Sequence, residues 1–372
     1  MNLKNYVLNF LKLNKEGNII LICTLLLSII GVFMIYSSSN VWAEYLYNDD
    51  LYYLKKQLLF FAVGIGVILL VSKIDLKKVI KYIDLIEILG CLLLVIVLIP
   101  GIGVERNGSR SWFGIGNLLF QPAELFKIIS IIYVSKHLGN NYYKNKKMIN
   151  LLSSLFMPLL GFLLILVQPD FGSGIVMISA IVIISLMSKV KFKNFLYIGL
   201  LGLGAVIIMI VSEPYRIERI TAYIDPFSDP LGSGFQIIQS LYALSPGGIL
   251  GKGINNSIQK HFYLPEPQTD FIFAIIAEEY GLIGALIIII LFGVLFYYGF
   301  SLAIKQNNYI NLLICMGIVS LIGVQVIINL GVVVGLLPVT GITLPFISYG
   351  GSSLLILDLG VGILLNLSKE ST

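Results

Sequence analysis

Residues 270–303 read DFIFAIIAEEYGLIGALIIIILFGVLFYYGFSLA, and the only charged residues in this stretch are Asp270, Glu278 and Glu279. From Tyr280 to Ala303 there is no charge at all. A bilayer is crossed by about 20 consecutive apolar residues in helical form, so this run is long enough to span one. Outward from it, apolar windows recur at about 18–37, 55–72, 82–99, 120–138, 150–167, 171–188, 194–212, 310–333 and 344–366. Over all 372 residues, 57% are apolar and only 12% charged, with a mean hydropathy of +0.93. A soluble domain carries roughly 25% charged residues to cover its surface. These numbers exclude a soluble enzyme and predict an all-α, polytopic integral membrane protein of ten transmembrane helices. The chain is expected to form one membrane domain over 1–372, with a large outer loop at 213–269 between helices 7 and 8. The first run, Ile19 to Tyr36, follows a lysine-bearing segment as in a signal peptide. It is long enough to span and lacks a clear small-residue cleavage site, so it reads as a retained span.

The connectors set the orientation. Lysines 4, 12, 15, 73, 77, 78, 81, 136, 144, 146, 147, 189, 191, 193, 305 and 369 all fall on one side when ten spans are drawn. The positive-inside rule makes that side cytoplasmic, with both termini. The four arginines of the chain, Arg106, Arg110, Arg216 and Arg219, fall on the other side. A guanidinium is a planar fork that matches phosphate and carboxylate, so this distribution points to an anion bound outside. The 57-residue stretch 213–269 has six prolines but also many large apolar residues, which argues against disorder. Part of it, FQIIQSLYALSPGGILGKGI, is expected to lie as an amphipathic helix at the outer interface, and Ser257 is expected to be reachable from outside. The stretch PGIGVERNGSRSWFGIGNLL (100–119) reads as turns. Cys23, Cys91 and Cys315 sit in apolar runs and read as buried thiols. His137 and His261 are too few for a zinc cluster, and no feature points to nucleic acid.

Three stretches could carry chemistry. In YLPEPQTDFIFAIIAEEYG (263–281), Pro265 and Pro267 bracket Glu266 and hold the chain extended up to Asp270, at the outer end of a helix. Aspartate often only caps a helix, but a carboxylate on a rigid strap leading into lipid is a functional candidate and a possible general base. In NGSRSWFGIGNLLFQPAELFK (107–127), Glu124 and Lys127 share a helix face at i,i+3, either as a local ion pair or as a site. Arg110 and Trp112 just before them offer a cationic fork and an aromatic surface. In QPDFGSG (168–174), Asp170 opens another helix, where capping alone would explain it. The run GGILGKG (247–253) is a poor phosphate motif, with no preceding strand and no Ser or Thr after Lys252. Asp358, deep in the last span, is expected to bond to a neighbouring helix.

These stretches, with GITLPFISYGGSS (341–353) and the Leu364-Leu365-Asn366 ending, resemble the SEDS proteins of bacteria (shape, elongation, division and sporulation), typified by RodA and FtsW. The resemblance covers nearly the whole chain from Tyr36-Ser37-Ser38-Ser39 onward. It implies a multi-pass protein of the bacterial cytoplasmic membrane, a peptidoglycan glycosyltransferase that polymerises lipid II, acting with a class B penicillin-binding protein and other division or elongation machinery. It makes Asp270 the essential residue of the family's T-D-F-I-F motif. It matches Arg110 and Trp112, Glu124 and Lys127, and Asp170 to further family motifs. Gln268 stands where many members have histidine, which puts any histidine relay in doubt.

The implied chemistry agrees with the residues. A sugar on a polyprenyl diphosphate already has a good leaving group. What it needs is positive charge beside the departing diphosphate, from Arg110, Lys127, Arg216, Arg219 or a divalent cation such as Mg or Mn. It also needs one carboxylate base for the acceptor hydroxyl, which Asp270 can be, with Glu266 the next candidate on the strap. A lipid II flippase is the alternative. A flippase would want ionisable groups along a path through the bilayer, whereas in the sequence they gather at the outer ends of helices.

Overall fold

The computed structural model describes residues 13–106, 108–115, 118–140, 148–187 and 214–370, together with 193, 199 and 204. The expected seventh span, 194–212, otherwise lies outside the described residues. The long helices are α1 (Lys15–Tyr47), α2 (Tyr52–Val71), α3 (Leu76–Ile96), α4 (Pro122–Asn140), α5 (Met148–Val167) and α6 (Phe171–Leu186). Two short helices follow, α7 (Pro214–Ile224) and α8 (Phe235–Leu244), and then α9 (Ile272–Ile304), α10 (Tyr309–Val333) and α11 (Gly351–Glu370). Among the described residues, α1, α2, α9, α10 and α11 are long and apolar enough to cross a membrane, with shorter apolar helices at Leu151–Val167 and Phe171–Leu186. The protein is a multi-pass membrane protein.

Local chemistry sets several helix starts. Asn14, Asp75, Asp170 and Asn308 each accept a backbone N–H of the first turn with their side-chain oxygens, filling donors that a helix start leaves without intrahelical partners. Helix α9 shows the lipid logic of the whole bundle. Ala285, Ile288, Phe292 and Leu295 are buried, while Leu282, Ile283, Leu286, Ile287 and Ile290 are exposed. Both faces are apolar, as expected where the outer solvent is hydrocarbon. The three cysteines are buried and free.

Contacts sort the helix ends into two groups. At one end Lys305 Nζ donates to Glu16 at 2.5 Å, Lys369 Nζ to the Ser72 carbonyl at 2.9 Å, and Tyr309 Oη to the Met187 carbonyl at 2.5 Å. At the other end Asn40 donates to Asn255, Ser109 to the Gln168 carbonyl, and Tyr223 to the Leu336 carbonyl. Among the described residues, the lysine-bearing helix ends therefore share one end, and the irregular segments share the other.

The strictly all-α expectation is corrected. Residues 100–119 contain a three-stranded antiparallel sheet: β1 (Gly103–Arg106), β2 (Ser109–Ile115) and β3 (Leu118–Phe120). Arg106 faces Ser109 across a two-residue turn, and Gly108 has φ +76°. Asn-Gly between strands is a strong hairpin signal because both turn positions need positive φ. That signal is legible in the sequence, and reading the segment as turns alone missed it. The outer loop does contain the expected helix, α8, but its buried face (Ile237, Ile238, Ser240, Ala243) packs on protein. Ser240 Oγ donates to the Val333 carbonyl at 2.8 Å. Ser257 is buried rather than reachable, because its hydroxyl is held by Glu278.

A labelling test of sidedness therefore needs exposed positions. Leu231 is 88% exposed in the outer loop, and Lys77 is exposed among the lysine connectors. With intact cells and a membrane-impermeant maleimide, Leu231→Cys is expected to label and Lys77→Cys to remain unlabelled until the membrane is opened. The reverse pattern would invert the topology.

Candidate active site

The strap 263–270 is held in place through its backbone. Tyr349 N donates to the Gln268 carbonyl at 2.8 Å. Ser348 Oγ donates to the Thr269 carbonyl at 2.6 Å, and Asn329 Nδ2 donates to the Asp270 carbonyl at 2.7 Å. Asn329 also reaches the Ile342 carbonyl at 2.8 Å, and Ser348 accepts Leu344 N–H at 2.9 Å. Three consecutive carbonyls are thus fixed by α10 and by the segment leading into α11. The carboxyl of Asp270 accepts the Thr269 hydroxyl at 2.9 Å, and the side chain is half-buried. The cap position of α9 is Phe271, with no side-chain cap bond. Glu266, with φ +43°, is exposed on the strap.

The second element is a buried ionic cluster at the start of α4. Lys127 Nζ lies 2.7 Å from Glu124 Oε1, with 1% and 8% of these side chains exposed. Ser353, in the first turn of α11, sits at 3.5 Å from Glu124. Asp170 does two jobs: it caps α6 through Ser173 N–H at 3.1 Å and accepts Gln121 Nε2 at 2.5 Å. Burial raises its carboxyl above the ordinary aspartate value, opposed by the Ser173 bonds and by the field of Lys127. Glu124, Lys127 and Asp170 therefore form one electrostatic unit. The segment 344–353 links that unit to the strap, with Ser348 and Tyr349 at Thr269 and Gln268, and Ser353 at Glu124. The phenol of Tyr349 is pushed up to about 12 by burial and the neighbouring tyrosines 52 and 47, with Arg106 pulling the other way.

The hairpin stands over this unit. Gln168 Nε2 donates to the Leu94 carbonyl at 2.9 Å, and Ser109 closes onto Gln168 from above. The register shifts between Val104 and Glu105, so Arg110 pairs with Glu105 and Trp112 with Val104, and the bulge breaks the simple alternation of side chains along β2 between them. Arg110 pairs with Glu105 at 3.1 Å, with about a third of its side chain exposed. Such exposed pairs contribute little, which leaves the guanidinium free to exchange partners. Arg216 and Arg219 both fall on α7, three residues apart, and their side chains lie outside the described residues. Among the described residues no three carboxylate, imidazole or thiol groups converge as metal ligands would.

Sequence reading missed the residues that hold the site together: Gln121, Asn329, Ser348 and Ser353. The available signal was a polar side chain in an apolar helix, as Asn329 is, since such groups in lipid bond across helices. It also missed what Glu278 and Glu279 do. Helix α9 breaks at Gly281 (φ +63°, ψ −159°), and the run 247–253 docks into the break. Lys252 N–H and Gly253 N–H take the carbonyls of Glu278 and Glu279 at 2.9 and 3.0 Å. The carbonyls of Gly248 and Ile249 take Leu282 N–H and Ile283 N–H at 2.9 and 3.2 Å. A Cβ on Gly251 would collide with the Glu279 carbonyl and Gly281 N. The glycine run is a docking cassette for a broken helix.

Comparison with known proteins agrees with this architecture. The family model described as "Cell cycle protein", of FtsW, RodA and SpoVE, matches residues 18–372. The chain belongs to this family. It is 46% identical over 358 residues to "Stage V sporulation protein E" of Bacillus subtilis, covering 95% of this chain and 97% of that one. It is 38% identical over 376 residues to "Probable peptidoglycan glycosyltransferase FtsW" of Geobacter metallireducens, covering 100% and 99%. Among solved structures, a chain of a peptidoglycan synthase complex that coordinates polymerization and crosslinking superposes with TM-score 0.79 at 29% identity, covering 95% and 97%. The rod shape determining protein RodA of Thermus thermophilus gives TM-score 0.70 at 26% identity, covering 94% and 96%.

The Glu124–Lys127 pair yields a stability test. Glu124→Gln leaves a buried ammonium without its counter-charge, at a cost of about 3–5 kcal/mol. The double variant Glu124→Gln/Lys127→Met is expected to recover most of that loss in unfolding of the detergent-solubilised protein. A double variant no more stable than the single one would show that charge pairing is not what holds this cluster.

Proposed function

We propose that this family member is a peptidoglycan glycosyltransferase that polymerises lipid II at the outer face of the bacterial cytoplasmic membrane, in division, elongation or sporulation. The observation that carries the reading is the placement of Asp270: its backbone is fixed at the start of α9 beside the segment that reaches the Glu124–Lys127–Asp170 unit. In the proposed reaction Asp270 takes the proton of the acceptor sugar hydroxyl as that oxygen attacks the anomeric carbon of the donor. The bond to the diphosphate breaks in the same displacement, with inversion from α to β. Arg110, in exchange for Glu105, and Arg216 and Arg219 of the outer loop neutralise the departing diphosphate. Trp112 offers an aromatic surface to the sugar. Lys127, Glu124 and Asp170 line the site, and Glu266 sits at its strap edge. A divalent cation would add charge neutralisation. Asp270 is the carboxylate that would hold such an ion beside the departing diphosphate.

The same reading takes the chain as a single ten-span domain with both termini cytoplasmic and 213–269 outside. Met187 bonds at the lysine-bearing end and Tyr223 at the opposite end, which supports a seventh crossing between them. A class B penicillin-binding protein is the proposed partner, supported by the likeness to a complex that couples polymerization to crosslinking. One observation favours the flippase alternative. Glu87 is fully buried on α3 against Ser130 of α4 at 2.9 Å, so ionisable groups are not confined to the outer ends of helices as the sequence suggested. Asp358, also buried, faces the side-chain-free Gly64 of α2. Polymerisation of purified lipid II in detergent separates the two readings, because a flippase makes no polymer there.

Two substitutions test the roles. Asp270→Asn keeps the shape but not the basicity, so polymerisation by the protein with its partner is expected to fall by about 10²–10⁴-fold while lipid II still binds. Near-normal polymer would remove Asp270 from the mechanism. Arg110→Ala is expected to lower turnover by about 10²–10³-fold, the scale of one lost electrostatic donor. Arg110→Lys is expected to stay impaired because an ammonium lacks the fork; full activity there would mean that net charge alone matters.

A further inference from the structure

Glu278 and Glu279 are the two most enclosed carboxylates near the strap, at 0% and 1% exposure, and the mechanism above does not use them. Their carboxyl oxygens are ringed by donors. Glu278 accepts Lys252 Nζ at 2.9 Å, Ser257 Oγ at 2.5 Å, Ile258 N–H at 3.0 Å and Gln259 N–H at 3.3 Å. Glu279 accepts the Ser37 hydroxyl of α1 at 2.7 and 2.6 Å, Lys260 Nζ at 3.3 Å and Ser257 N–H at 3.4 Å. Lys260, itself 1% exposed, also bonds to the Asn255 carbonyl at 2.8 Å. Two side chains on the second turn of α9 thus grip residues 252–260, which continue into the strap.

The strap is strung between this clasp and the backbone bonds at Gln268, Thr269 and Asp270. It also carries unfavourable backbone geometry. Phe262 and Glu266 have φ of +65° and +43°, and Phe346, in the segment that receives the strap, has φ +65°. Non-glycine residues in this region are strained, and they persist only where the surroundings over-determine them. For the strap those surroundings are the clasp on one side and the segment 342–349 on the other.

We propose that Glu278 and Glu279 are positioning residues for Asp270: their clasp on residues 252–260 tensions the strap and sets where the Asp270 carboxylate stands. The proposal rests on Asp270 being the base. Without the clasp, residues 252–260 lose their ionic anchor on α9 while Phe262 keeps its packing on Trp42 and Tyr45, and the carboxylate loses the placement on which a proton transfer depends, where a shift of about 1 Å can cost 10²-fold.

The test uses the full-length protein with its partner. Glu278→Gln keeps the volume but turns an amide NH₂ toward donors, so at least one of the four contacts is lost. Two readouts are taken together: amide hydrogen exchange over 252–262, with helix α8 as the internal control for folding, and steady-state polymerisation of lipid II. The expected result is faster exchange in 252–262 with α8 unchanged, kcat lower by about 10–100-fold, and KM within about threefold. Ser257→Ala removes the hydroxyl's bond to Glu278 and the Lys260 N–H bond to that hydroxyl, and is expected to give the same pattern at about 3–10-fold, which keeps the test usable if Glu278→Gln does not fold. Faster exchange with normal kcat, slower turnover with exchange unchanged, or a rise in KM alone would each overturn the proposal. Asp270→Asn is assayed in parallel. If that variant polymerises normally, the base assignment has failed, and the exchange data still report whether the clasp exists.

Discussion

Helix α9 leaves helical geometry at Gly281, and the backbone groups stranded by the break must be satisfied next to lipid. In water such groups would be hydrated at little cost; beside hydrocarbon each unsatisfied one costs several kcal/mol. The run 247–253 meets that demand by giving two N–H groups to the carbonyls before the break and two carbonyls to the N–H groups after it. The docking needs glycine at 251 because any side chain there would overlap the helix backbone. The outer loop is therefore not an appendage. It completes a membrane helix, and the position of the strap follows from that.

The same rule governs the charges. Buried ions are tolerated where each is paired and hydrogen-bonded, and the outer half of the bundle contains several such groups. Lys127 lies against Glu124, Lys252 against Glu278, and Lys260 against Glu279. Arg110 is the contrast, paired in the open with Glu105. A group that must meet an anionic substrate is better held in an exposed, exchangeable pair than in a buried one, since leaving a buried pair strands the partner. This difference in burial gives the basic side chains different work although they look alike in the sequence. It also bears on Asp270, which is half-buried and whose backbone carbonyl is fixed by Asn329.

Hydropathy and charge placement are local properties, and they are legible without coordinates. The apolar windows correspond to the long helices wherever these are described, and the lysine connectors do gather at one end. The caps at Asn14, Asp75, Asp170 and Asn308 follow from short polar side chains before apolar runs. The hairpin at 103–115 was legible in Asn107-Gly108 and was lost to a reading that stopped at turn composition. Asp270 stands out in the sequence because prolines lead into it, whereas nothing local marks Asn329 and Ser348 as the residues that fix the backbone around it.

What the sequence alone determined is the solvent of this chain, its multi-pass character, and which ionisable groups sit at the ends of its apolar runs. These follow from transfer free energies that sum residue by residue along the chain. Only the tertiary structure decided what each of those groups is bonded to. Ser37 meets Glu279 across 242 residues and Gln121 meets Asp170 across 49, and no local pattern encodes such pairings. Glu278 and Glu279 looked like an ordinary acidic pair in an apolar run, Gly247–Gly253 like a failed phosphate loop, and Ser257 like an exposed loop residue. Their roles exist only once a broken helix and a loop satisfy each other, because hydrogen-bond satisfaction belongs to pairs of groups, and their pairing is set by how the helices pack.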